Sequence, residues 1–273
     1  TDLDSLNTAT ISNTGVVDLA NVGDAAQDYA LTVTSTGAES FDIGTMDTDD
    51  QAITLSVTDA LGNVTVGAID AMSGGNVTVT SATTGTLGLQ AVTGDDVTID
   101  ASGTLGAVTF NADITASGDV DIKGSELNDN DLSTGGNVVL AGTAQTVAYT
   151  GNVNDDDVLI DAGDDTTSVT VTGDFGSGTD TLAVDFETNA TIAADYALDV
   201  TGVSDYDTGT FELSGEAFEA TVELGSGSNA DTVLWNAAEL ATITLVEDTE
   251  DTLDFDDVSG GVGGTVNGVT AGG

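Results

Sequence analysis

Glu126, Asn128, Asp129 and Asp131 fall in one stretch, Gly124-Ser-Glu-Leu-Asn-Asp-Asn-Asp131, that is dense in oxygen-bearing side chains. Alternate side chains of such a loop can converge on one point, and carboxylate and amide oxygens are what a hard divalent cation such as calcium takes as ligands. The strict spacing and terminal Glu of an EF-hand are missing, so the stretch reads as an isolated cation candidate. Further candidates sit in acidic turns: Asp155 and Asp157 after Asn152-Val-Asn154, the pair Asp164 and Asp165, Asp174 after Gly173, Asp180 after Gly178-Thr, and Asp231. The clusters Asp47/Asp49/Asp50 and Asp254/Asp256/Asp257 read either as sites or as solvated corners.

Cation binding is the chemistry this composition favours, and several others it disfavours. Across 273 residues there are 48 carboxylates and one base, Lys123, with no His, Cys or Arg, for a formal charge of -47. Thirty-eight of the acids are Asp, the shorter carboxylate that suits turns and compact oxygen cages. Nothing neutralises a phosphate, which argues against nucleic acid and anionic membrane as partners. There is no imidazole base, thiolate or guanidinium clamp, so the chain does not read as an enzyme. A carboxylate pair for glycoside hydrolysis would arise by chance among so many Asp. No apolar run approaches membrane-spanning length, and Thr1-Asp-Leu-Asp-Ser-Leu6 lacks the regions of a signal peptide, so any export signal would lie outside this chain. Absence of Cys excludes disulfides and fits a secreted surface protein as well as a cytosolic one.

Disorder is the first alternative for such a charge, but it normally requires low hydrophobicity and abundant Pro. Here the mean hydropathy is +0.10, Pro is absent, and short apolar pairs alternate with polar residues throughout. Val17-Asp-Leu19, Leu31-Thr-Val33 and Phe41-Asp-Ile43 open the chain with the period of a strand that buries one face. From Ile53-Thr-Leu55 the pattern tightens through Val64, Val77, Leu87, Val97, Val108 and Val120, with starts 11, 13, 10, 10, 11 and 12 residues apart. Gly62-Asn63, Gly75-Asn76, Gly94-Asp95, Gly136-Asn137 and Gly151-Asn152 punctuate it. A reused corner of this kind predicts an all-β repeat β-solenoid with strand-turn units of about eleven residues, two or three to a coil. The alternative is a set of tandem antiparallel β-sandwich domains, for which the same turn spacing is expected.

Three segments follow from composition: an N-terminal β segment at 1–50, the β-repeat domain at 51–186, and a smaller C-terminal β module at 187–273. Eight of the ten Glu and six of the twelve aromatics lie at or beyond residue 187. Ala237-Ala-Glu-Leu240 reads as a helical turn, and Gly260–Gly264 and Ala271–Gly273 as linker or frayed end.

Gly176-Ser-Gly178-Thr-Asp180-Thr-Leu182 matches four of the five fixed positions of the RTX calcium nonapeptide, with Phe175 in place of its first Gly. A looser copy, Gly225-Ser-Gly227-Ser-Asn-Ala-Asp231-Thr-Val233, has its Asp two residues late. With Asp251-Thr-Leu-Asp-Phe255 and the Thr/Gly/Asp/Val-rich repeats, the chain resembles RTX-related bacterial surface-layer proteins. That resemblance implies a calcium-dependent, self-assembling, extracellular architecture. The plain reading of any one copy is a glycine turn ending in a solvated Asp.

The expectation is therefore a self-assembling, calcium-stabilised extracellular structural protein of a surface layer or filament, its partners copies of itself and divalent cations. The alternative is a binding module, such as an adhesin segment or an ice-binding solenoid. Thr-Val-Thr at Thr32–Thr34, Thr78–Thr80 and Thr170–Thr172 resembles the Thr ladders of the latter. Because the copies are not expected to stack regularly, they read more simply as solvent-face β residues. A halophilic host is a further explanation of the acidity. Asn63-Val-Thr, Asn76-Val-Thr and Asn189-Ala-Thr are glycosylation sequons, two of which arise wherever a turn Asn precedes Val-Thr-Val.

Overall fold

The computed structural model describes residues 2–3, 7–12, 15–24, 26, 28–72, 74–125, 130–131, 137–152, 156–163, 166–176 and 180–186, and beyond these the strands at 196–204, 208–213, 218–223, 232–237, 242–246, 252–254 and 265–267. All regular structure among them is β, every paired strand is parallel to its neighbour, and the chain winds as a β-solenoid. Parallel pairing excludes the antiparallel sandwich. The chain divides into two compact units, Thr1–Val138 and Val139–Gly273.

In the first unit one sheet stacks Thr8–Ser12, Leu31–Thr36, Ile53–Ala60, Val77–Thr83, Val97–Asp100 and Val120–Lys123. The intervening strands, Val16–Gly23, Ser40–Asp47 and Val64–Asp70, stack in a second sheet. Partners such as Val77 and Val97, or Val16 and Ser40, lie 20 to 24 residues apart, so two units of about eleven residues make one turn. The second unit repeats the scheme. Asp156–Ala162, Thr181–Phe186, Thr208–Leu213, Thr232–Ala237 and Thr252–Asp254 form one stack, and Ala144–Asn152, Ser168–Gly176, Tyr196–Ser204, Phe218–Glu223, Thr242–Val246 and Thr265–Asn267 the other.

The register explains the sequence pattern. Val33, Leu55, Val79, Ile99 and Ile122 are successive partners in one inward ladder, and Leu31, Ile53, Val77, Val97 and Val120 in another, all buried. Ile43, Val66, Leu89 and Phe110 line up on the facing sheet. Each such side chain contributes about 1.5–3 kcal/mol of burial, and since every rung repeats it, the core grows with the chain. In the second unit Val158 over Leu182 and Ile160 over Val184 play the same part, with the Tyr149 and Phe175 rings 4.9 Å apart.

From residue 87 the first unit gains a side. Val64–Asp70 pairs through Val64, Thr65 and Val66 with Leu87–Leu89, and through Ile69 and Asp70 with the separate strand Val92–Gly94. The next turn keeps both pieces, as Val108–Phe110 and Ile114–Ala116. The split falls at Gly67, where an added Cβ would collide with the Gly44 carbonyl one turn below, and Gly44 already makes the same close approach to the Ala20 carbonyl. Inside these turns the core admits hydroxyls: Thr104 Oγ1 lies 3.2 Å from Ser81 Oγ, and Ser125 Oγ donates to the Thr104 carbonyl at 2.9 Å. The proposed helical turn at 237–240 and the Gly-rich stretches at 260–264 and 271–273 lie outside the described residues, apart from Ala237, which ends a strand.

Candidate functional site

Where the chain leaves one sheet for the other, the backbone loses its ladder partner, and acidic or amide side chains supply one. Asn63 Oδ1 accepts the Thr86 amide at 3.2 Å, Asp96 Oδ1 the Asp119 amide at 3.0 Å, and Asp113 Oδ1 the Asn137 amide at 3.0 Å. Each acceptor and donor belong to successive turns. Asn63 of the Gly62-Asn63 punctuation is thus a rung-to-rung clamp, and Asp96 and Asp113 make the same clamp at other corners, the side chain finishing a ladder that the bending backbone cannot. This structural use accounts for part of the Asp content without any ion.

Three carboxylates of the first unit gather at one corner. Asp47 pairs in register with Asp70, and Asp24 follows Gly23, the partner of Asp47 on the turn below. Asp24 Oδ1 accepts the Ala26 amide at 3.0 Å and Asp70 Oδ1 the Met72 amide at 2.9 Å. Asp47 Oδ1 is buried with no hydrogen-bond partner. Burial foremost, then the charges of Asp70 and Asp24, push its carboxyl above the usual aspartate range, against a smaller opposing pull from the Thr48 amide. Asp49 and Asp50, read with Asp47 as a cluster, are exposed.

The second unit has a deeper pair. Asp157 and Thr181 are register partners, which places Asp156 beside Asp180 on consecutive turns, and both carboxylates are wholly buried. Asp180 Oδ1 accepts the Asp156 amide at 2.8 Å. The opposite wall is Gly151, whose Cβ, if present, would run into Asp156 Oδ2 and sit 2.7 Å from the Phe175 carbonyl. One carboxylate oxygen, Asp156 Oδ2, and the Phe175 carbonyl therefore meet where glycine leaves room, while the Asp180 carboxylate holds the Asp156 amide. Calcium takes six to eight oxygen ligands, more than these groups supply by themselves. Among the described residues no three acidic side chains gather closely enough to hold a metal by themselves.

Of the other candidates, Asp157 is half-buried in its strand and Asp174 is exposed on Ser168–Gly176. Asp131 lies in the strand Asn130–Asp131, paired with Thr109. Glu126, Asn128, Asp129, Asp155, Asp164, Asp165 and Asp231 lie outside the described residues. The motif copies Asp180-Thr181, Asp231-Thr232 and Asp251-Thr252 share a register that the sequence does not show, and Asp207-Thr208 joins them as a member that sequence reading missed. Thr181, Thr208, Thr232 and Thr252 are consecutive register partners, and each is preceded in sequence by Asp: Asp180, Asp207, Asp231 and Asp251. Their spacings of 27, 24 and 20 residues hide a repeat that the strand register makes regular.

A second feature is uncharged. On the first unit's sheet that runs from Thr8–Ser12 to Val120–Lys123, Thr8, Thr32, Thr54, Thr78 and Thr98 occupy one outward column. Thr10, Thr34, Ser56 and Thr80 occupy the next, and Ser12, Thr36 and Thr58 a third. The expectation that the Thr-x-Thr copies are not stacked is corrected here. Corner loops of unequal length absorb the irregular spacing, and Thr54-Leu55-Ser56 fills the turn between Thr32–Thr34 and Thr78–Thr80. The array ends in charge, at Asp100 paired with Lys123 and Thr98 paired with Asp121. The corresponding column of the second unit, Thr146, Thr170, Asp199, Thr221 and Thr244, meets an acid at its third rung.

Comparison with family models, with characterised proteins and with solved structures finds no match to this chain.

Proposed function

We propose that the chain is a self-assembling structural protein of an extracellular surface layer or filament, stabilised by calcium at the acidic corners of its solenoid. The observation that carries the reading is the buried pair Asp156 and Asp180 on adjacent turns of a chain with a single base. Two carboxylates at a rung spacing of ~4.8 Å repel by roughly 3–4 kcal/mol at an effective dielectric near 20. Removing each from water adds a further cost unless something positive or hydrogen-bonded meets it. A divalent cation bound there would neutralise both. Asp180 would hold it from the start of its strand, Asp156 from the turn below, and the Phe175 carbonyl from the wall, while the Asp156 amide keeps Asp180 oriented. Asp24, Asp47 and Asp70 present a similar demand in the first unit, with Asp47 Oδ1 buried beside two like charges.

Self-assembly rests on the architecture. A parallel stack can be extended rung by rung, and a second copy could add to it by strand addition. The test is to add a chelator to the purified chain and follow circular dichroism and particle size together. Loss of β signal with dissolution of assemblies, both restored by calcium, is expected. An unchanged fold and unchanged particles in chelator would overturn the reading.

A further inference from the structure

We propose that the hydroxyl array on the first unit's sheet from Thr8–Ser12 to Val77–Thr83 binds ice. Three observations meet on that face. The first is regularity: strands neighbour one another at ~4.8 Å, and alternate residues along a strand at ~6.6 Å. The columns from Thr8 to Thr98 and from Thr10 to Thr80 therefore form a two-dimensional net of threonine and serine. The rung spacing is too wide for direct hydroxyl-to-hydroxyl hydrogen bonds, so across the net the hydroxyls are offered to water. At its margin alone two approach, with Thr36 Oγ1 3.4 Å from Thr58 Oγ1.

The second observation is charge. In a chain with 48 carboxylates, none occupies the outward positions of these columns between Thr8 and Thr80. The opposite sheet of the same unit places Asp18 over Asp42 in its outward column, so the neutral net belongs to this face and not to the fold. A strongly charged partner has nothing to meet there, whereas an uncharged lattice of hydrogen-bonding groups does. The third is rigidity. Most of the hydroxyls stand on β-branched threonine, and their neighbours in the strand, Val33, Leu55 and Val79, are locked in the core, so little side-chain freedom remains to be lost on contact.

A partner that matches such a net must itself be periodic on the same scale. Ice is periodic and uncharged, and it offers donors and acceptors throughout. A crystalline polysaccharide shares that periodicity but is usually gripped by aromatic rings, and the columns contain none. The threonine methyl groups add apolar area that orders adjacent water, while the hydroxyls anchor it.

The experiment uses the full chain with calcium present, its fold checked by circular dichroism, and measures thermal hysteresis and the shape of single ice crystals. Faceted crystals and measurable hysteresis are expected. The double variant Thr54→Tyr/Thr78→Tyr, which disrupts the first column, should lower hysteresis at least tenfold with an unchanged spectrum. Thr65→Tyr, the same substitution on the opposite sheet, should leave hysteresis intact. The proposal is overturned if the folded protein neither shapes ice nor delays its growth. It is also overturned if both substitutions act equally, or if the protein binds powdered chitin or cellulose through Thr54 and Thr78 while being rejected by ice. Failure here leaves the chelator response untouched, so the two readings fall separately.

Discussion

The hydroxyl face and the acidic corners of the first unit are built on the same backbone and carry opposite chemistry. On the face, Thr32, Thr54 and Thr78 repeat without a charge. At the corner, Asp47 and Asp70 repeat with charges that repel. A parallel solenoid amplifies whatever it repeats, because equivalent residues return to the same line at each turn. For hydroxyls this yields a regular surface. For carboxylates it yields a column of like charge whose cost rises with every rung, and that column needs amide donors or cations. The second unit sharpens the contrast: its column equivalent to the face admits Asp199 between Thr170 and Thr221, while its corner buries two carboxylates completely.

If the inward ladder carries the fold and the outward column does not, Leu55→Ala should cost about 2–5 kcal/mol. Its neighbour Thr54→Ala should change stability by less than about 0.5 kcal/mol. Chemical denaturation of the two variants measures both, and similar losses would break the distinction between the two faces. The corner comes next. Asp180→Ala removes the acceptor of the Asp156 amide and should cost about 1–3 kcal/mol, whereas Asp180→Asn keeps an acceptor oxygen and drops the charge. In chelator the Asn variant should therefore be at least as stable as the parent, and in calcium less stable. Thermal melts in the two buffers read the sign.

A smaller effect is expected at Asp47. Its carboxyl lies above the usual range because of burial and the charges of Asp70 and Asp24, so the folded state holds a proton that the unfolded chain releases. The associated penalty is complete above the raised value and is relieved as pH falls toward the ordinary carboxylate range near ~3.9. In that window, just above the ordinary value, this group's contribution rises on acidification. Asp47→Asn should raise the neutral-pH melting temperature by about 2–4 °C and flatten that part of the pH profile. A lower melting temperature for the variant would assign the carboxylate a stabilising contact instead.

Much of the architecture was legible because the inward ladder writes itself into the chain. Val77-Thr-Val79 and Val97-Thr-Ile99 announce their strands and their buried faces, and they prove to be partners. The third side of the later turns was not legible. Gln90-Ala91 separates Leu87–Leu89 from Val92–Gly94 by too little to register as a corner. Ser81, Thr104 and Ser125 also escaped notice, since an inward hydroxyl satisfied by the neighbouring turn looks in sequence like any polar residue. The stacking of threonines and of Asp-Thr depends on register, which loop length conceals: Thr54 and Thr78 are 24 residues apart, Thr78 and Thr98 only 20. As for the acids, turn carboxylates are expected to accept turn amides, hold ions or stand in solvent. That Asp96 and Asp113 accept amides of the adjacent turn is visible only once the turns are placed.

The proposed dependence of the fold on bound cation is tested most directly by the calcium-induced shift in melting temperature of the parent chain and of Asp156→Asn/Asp180→Asn, each titrated from chelator into calcium. The account predicts a large, saturable upward shift for the parent and a markedly smaller one for the double variant, which should already be the more stable of the two in chelator. Equal shifts in both proteins, or no shift in the parent, would contradict it.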